Sequence, residues 1–122
     1  MKKDPSPSER LTEFLNYLDR LSAEYKCAAD VVKQEERKLQ DFVHAMEFAA
    51  DKAERNRVAT QLHNSRKLRR ANKDIVMRDE LIVNFFEEQE NRKVLNKLRQ
   101  LLGRQRKQEE FLASDRVYKP RG

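Results

Sequence analysis

The stretch PSERLTEFLNYLDRLSAEYKCAADVVKQEERKLQDFVHAM, residues 7–46, decides the fold. Its Leu11, Leu18, Tyr25, Val32, Leu39 and Met46 fall seven apart, and Phe14, Leu21, Ala28, Glu35 and Phe42 each follow three residues later. Alternating steps of three and four keep side chains on one side of an α-helix, and repeated over this length they are the pattern of a coiled-coil seam. Glu35 is the single polar residue of that seam, where a carboxylate fixes register or pairs with a basic residue of the next helix. Just ahead, Ser6-Pro7-Ser8-Glu9 reads as a helix start, with Ser6 as N-cap, Pro7 at the first helical position and Glu9 completing a capping box.

Proline and glycine extend this reading to the rest of the chain. Of 122 residues, the three prolines are Pro5, Pro7 and Pro120, and the two glycines are Gly103 and Gly122. A β-protein needs turn residues every ~8–12 positions, and none of either type occurs from Ser8 to Leu102. The expected fold is therefore all-α, a long antiparallel helical hairpin or a three-helix coiled-coil-like bundle. Residues 1–6 are expected to form a disordered tail and 7–113 the helical domain. Asp51-Lys52-Ala53-Glu54 repeats the capping signal and places a turn near 48–52. In the second helix Val58, Leu62, Leu68, Ile75 and Ile82 form a thinner stripe. Asp74 or Asp79 can cap a new helix, so a break near 72–80 and a continuous rod are both open. Gly103 fits either a helix C-cap or an interior position. Residues 114–122 are expected to be an extended basic tail, because Pro120 ends any helix and biases Lys119 away from one.

Composition bounds the function. Charged residues make up 39% of the chain and hydrophobic ones 38%, which suits amphipathic helices with narrow apolar stripes. Cys27 is the only cysteine, so an internal disulfide or a cysteine zinc site cannot form. It falls off the seam and reads as a partly exposed free thiol. No apolar run approaches the ~20 residues of a membrane span, and the N-terminus leads into no signal-like segment. A soluble protein of the cytoplasm, without membrane partners, is expected. His44 and His63 are the only histidines, and there is no Gly-rich loop or nucleophile elbow. Asp41 and His44 share the i, i+3 spacing of di-iron bundles but lack the further inward carboxylates. The expectation is a protein without catalytic activity, cofactor or metal.

Charge is segregated. Residues 52–73 carry 8 basic side chains against Glu54 alone, and residues 74–91 carry Arg78 alone against 6 acidic ones. Arg66, Arg70 and Lys73 share one helix face with Arg55, flanked by Lys67 and Arg69. Like charges at i, i+4 destabilise a helix by a few tenths of a kcal/mol each, so either acids of the same chain or an external anionic partner should face them. No Phe, Tyr or Trp lies between 49 and 84, so nucleic acid would be held by its phosphates rather than by stacking. A second cluster, Val94, Leu95, Leu98, Leu101 and Leu102, is expected to lie beyond a hairpin partner helix. It is then covered either by a fold-back of the chain or by a second protomer. The expected state is a homodimer with this cluster at its interface.

The runs Asn64-Ser65-Arg66-Lys67-Leu68-Arg69-Arg70-Ala71-Asn72-Lys73-Asp74 and Leu98-Arg99-Gln100-Leu101-Leu102-Gly103-Arg104-Gln105-Arg106-Lys107, with the ending Arg116-Val117-Tyr118-Lys119-Pro120-Arg121, resemble small helical proteins carried by prophages and mobile elements of Firmicutes. The resemblance implies a bacterial host cytoplasm and a phage-related role, with no site residue to carry over. Three functions follow as expectations. The first is a protein-binding module that inhibits or adapts a host macromolecule, the second a basic protein on nucleic acid, and the third a self-assembling structural component.

Overall fold

The computed structural model describes residues 4–115, which form three helices and, among the described residues, no strand. They are α1 (Pro7–Glu47), α2 (Lys52–Glu87) and α3 (Gln89–Ala113). The expected tail segments 1–3 and 116–122 lie outside the described residues. No helix of the described residues is long and apolar enough to cross a membrane.

Each helix end has a local chemical cause. At α1 the Ser6 hydroxyl accepts the Glu9 backbone N–H at 3.2 Å, and Pro7 takes the first helical position, where its missing N–H costs nothing. At α2 the Asp51 carboxylate accepts the Glu54 N–H at 2.8 Å, and the Glu54 carboxylate accepts the Ala50 N–H at 3.0 Å. These reciprocal bonds turn the chain in residues 48–51.

Of the two readings open for 72–80, the continuous one holds, because α2 runs unbroken from Lys52 to Glu87. Asp79, a candidate cap, is instead drawn into the helix interface by Arg78. The break falls at Glu88, an extended residue with φ −61° and ψ 137°. Glu87 and Glu88 oppose the negative C-terminal end of α2, whereas Glu88 and Glu90 suit the positive N-terminal end of α3. Asn91 completes the corner, its amide donating to the Phe85 carbonyl at 2.8 Å and to the Glu88 carboxylate at 3.1 Å. At the far end, Ser114 caps α3 by donating its N–H and hydroxyl to the Phe111 carbonyl.

The chain divides into two compact units, Met1–Asp19 with Phe85–Gly122, and Arg20–Asn84. In the first, the start of α1 packs antiparallel to α3. Leu15, Leu18, Leu95 and Leu102 are its core, with Leu11, Leu98 and Phe86 packed around them. The buried face of α1 here uses Leu15 rather than Phe14, one step off the heptad read from the sequence. Glu109 then reaches from the end of α3 to the start of α1, accepting the Ser8 hydroxyl at 2.6 Å and the Ser8 N–H at 3.0 Å. A carboxylate at a helix N-terminus satisfies an orphan donor and complements the dipole. The Ser8 bond, followed by one from Gln105, holds the Glu109 carboxyl below its ordinary value.

In the second unit, the remainder of α1 packs antiparallel to α2 as a helical hairpin. Of the heptad positions of α1 here, Leu21, Tyr25, Ala28, Val32, Glu35, Phe42 and Met46 are covered and Leu39 is exposed, while Ser22, Ala29 and Val31 beside the series are also half-buried. On α2 the series Val58, Leu62, Ser65, Arg69, Asn72, Val76, Asp79 and Val83, again three and four apart, is covered, and Glu54, Ile75 and Glu80 beside it are half-buried.

Gly103 lies inside α3, and a Cβ added there would meet nothing within 4 Å. Interior glycine destabilises a helix by roughly 0.5–1 kcal/mol relative to alanine. Gly103→Ala should therefore raise the unfolding free energy by about that amount, read from the urea midpoint. A loss of stability would mean that α3 does not run through this position.

Candidate functional site

The covered face of α2 is half polar, and this shapes everything outside it. Ser65 donates its hydroxyl to Glu35 at 2.5 Å, and Lys38 of the same helix donates to the other oxygen at 3.1 Å. Of the two roles open for Glu35, pairing with a basic residue of the second helix does not occur, and a hydroxyl takes that place. Arg69 bonds Glu36 through Nε at 3.3 Å and Nη2 at 3.1 Å, and Asn72 donates to the Leu68 carbonyl at 2.9 Å. Asp79, only 1% exposed, is gripped by Arg78 Nε at 2.8 Å, while Arg78 Nη2 bonds Glu24 at 2.9 Å. No buried side-chain nitrogen or oxygen of the described residues lacks a partner. Leu68 and Ile82, read from the sequence as stripe residues, are exposed, because these polar groups take the inward places. An apolar-only count missed the spacing, which appears once Ser65, Arg69, Asn72 and Asp79 are admitted to it.

The six cations singled out in the sequence separate into two groups. Arg69 is half-buried and answered by Glu36, so for this residue the internal ion pair is the answer. Arg55, Arg66, Lys67, Arg70 and Lys73 are exposed and form no ion pair or side-chain hydrogen bond with another described residue. Arg66, Lys67 and Arg70 line a groove of 320 Å³ with His63 and Arg69. Arg66 also borders a second groove of 270 Å³, shared with Glu35, Glu36, Leu39, Leu62, Ser65 and Arg69.

The same outward face continues past the cations. From Arg66, Arg70 and Lys73 the steps of three and four lead to Met77 and Leu81, which are 60% and 79% exposed. These two residues were not recognised from the sequence. Their signal is positional, since they extend the cationic series at helical spacing and stand off the buried seam.

The cluster expected at an oligomer interface is largely used within the chain. Leu95 and Leu102 belong to the core and Leu98 packs against it, whereas Val94 and Leu101 stay exposed. The start of α1 covers the first three, through Leu11, Leu15 and Leu18. Cys27 is exposed. Among the described residues no three His, Cys, Asp or Glu side chains gather closely enough to hold a metal ion.

Hydrogen bonding shifts the two seam carboxylates. Glu35 is held below its ordinary value chiefly by the Ser65 bond, and Asp79 chiefly by the Arg78 bond, with burial opposing both. The same contact pushes the Arg78 guanidinium above its ordinary range. A carboxylate lowered in the folded state contributes stability that is present above its unfolded value, ~4, and is lost as pH falls through the folded one. Stability should therefore decline as pH drops from about 5. Asp79→Asn should be less stable at neutral pH but show a shallower acid decline. Urea midpoints at a series of pH values check this, and an unchanged acid slope in Asp79→Asn would contradict the assignment.

No family model, curated protein or solved structure matches this chain.

Proposed function

We propose that the chain is a non-enzymatic helical binding module of the prophage and mobile-element kind, working in a bacterial cytoplasm. It docks the outward face of α2 on an acidic, partly apolar surface of a host or phage protein, which it adapts or inhibits. One observation carries this reading. Arg66, Arg70 and Lys73, without an ion-pair partner among the described residues, run along a single face into exposed Met77 and Leu81.

Cations alone would suit any polyanion. Two large apolar side chains in line with them suit a protein, because a phosphate backbone leaves those side chains in water while a protein surface covers them. Covering a large apolar side chain is worth ~1.5–3 kcal/mol, and the cations add attraction that salt screens.

The groove formed by His63, Arg66, Lys67, Arg69 and Arg70 favours a second reading, a nucleic acid held through its phosphates. The two readings differ in what Met77 and Leu81 do. Capture of a partner from a bacterial lysate, repeated after nuclease treatment, identifies the ligand class. With that partner, Arg66→Gln, Arg70→Gln and Lys73→Gln together should weaken binding and flatten its salt dependence. Met77→Ser with Leu81→Ser should weaken it at least tenfold with little change in salt dependence. Binding that disappears with nuclease, or that ignores the Met77 and Leu81 substitutions while losing about one unit of salt slope per cation removed, would establish the nucleic-acid reading instead.

A further inference from the structure

Helix α3 carries two seams. The inward one is Asn91, Leu95, Leu98, Leu102, Gln105 and Glu109, all at least partly buried. A second series with the same steps, Val94, Lys97, Leu101, Arg104 and Gln108, is exposed throughout. Val94 is 48% exposed and Leu101 43%. Between them stand Lys97 and Arg104, which form no ion pair or side-chain hydrogen bond with another described residue. Other α3 cations are committed to α1, Arg99 to Asp19 at 3.5 Å and Arg106 to the Thr12 hydroxyl at 3.0 Å. The outer seam thus alternates apolar and cationic positions, one of each per heptad, and is left out of the internal bonding.

We propose that this outer seam docks an amphipathic helix of a partner protein. That helix sets apolar residues against Val94 and Leu101 and carboxylates against Lys97 and Arg104. The spacing asks for a helix, since only another helix repeats its side chains at matching steps of three and four. The charge asks for an acidic one. Helix α3 carries 7 basic residues against 3 acidic ones, so pairing with the α3 of a second copy would set Lys97 and Arg104 against like charges. A nucleic acid would leave Val94 and Leu101 in water. This surface does not rest on the reading of α2, because it is built from other residues in the other unit. With both faces in use, the chain is an adaptor with two docking surfaces.

The test uses the full chain and a labelled three-heptad helical peptide with Leu and Glu alternating along its seam. A companion peptide carries Lys in place of Glu. Fluorescence anisotropy should show saturable binding of the Leu/Glu peptide and none of the Leu/Lys peptide. Lys97→Glu with Arg104→Glu should weaken the first at least tenfold and acquire the second, a gain that an unfolded variant would not show. Arg66→Gln, Arg70→Gln and Lys73→Gln together should leave both results within twofold. The proposal is overturned by absence of saturable binding, by indifference to the charge reversal, or by equal loss in the α2 variant. A sedimentation dimer broken by Leu101→Gln would assign the seam to a second copy. Displacement of the peptide by a short DNA duplex would assign it to nucleic acid.

Discussion

Helix α2 fills half of its inward places with polar side chains, although Leu68, Met77, Leu81 and Ile82 stand exposed on it, and the rest of the molecule answers that constraint. Four places of its covered three-and-four series in the hairpin unit, Ser65, Arg69, Asn72 and Asp79, are polar. A polar group taken from water without a partner costs far more than a made hydrogen bond returns, so each draws in a partner. Glu35 turns to Ser65, Glu36 to Arg69, and Glu24 to the guanidinium that also grips Asp79. These three carboxylates are the acids of α1 seen to reach α2. Once they are committed at the seam and its edge, the outward cations of α2 have no internal counterpart. The basic face is a consequence of how the seam is satisfied.

The other unit solves its packing differently. Between α1 and α3 the core is leucine-rich, and polar bonds sit at its margins, where Glu109 caps α1 and Arg99 and Arg106 reach across. A seam that needs only Leu95, Leu98 and Leu102 leaves the neighbouring Val94 and Leu101 on the surface. In one unit the residue surplus is cationic, and in the other it is apolar with cations interspersed. Both faces set exposed cations in line with exposed apolar side chains.

The helical class was legible because heptad spacing and the absence of glycine and proline act locally, residue by residue. The capping signals at Ser6 and Asp51 were legible for the same reason. The corner at Glu88 was not, since it depends on opposing end charges of two helices and on one amide of Asn91, with no proline or glycine to mark it. The seam of α2 was hidden because Ser65, Arg69, Asn72 and Asp79 resemble surface residues until their partners on α1 are known. The cationic face could be named from sequence as a group. That Arg69 is half-buried beside Glu36 and Arg70 exposed is a tertiary fact, as is the continuation of the face into Met77 and Leu81.

The central claim is that the acids of α1 that reach α2 are held at the seam and its edge, which leaves the outward face without internal neutralisation. Adjacent arginines test it most directly, by urea unfolding of Arg69→Gln and Arg70→Gln at low salt. The account predicts opposite signs. Arg69→Gln removes a half-buried ion pair and should lower stability by up to about 1 kcal/mol. Arg70→Gln relieves repulsion from neighbouring cations and should raise stability by roughly 0.2–0.5 kcal/mol. Equal destabilisation by the two substitutions would show that the outward cations are neutralised within the chain and would contradict the account.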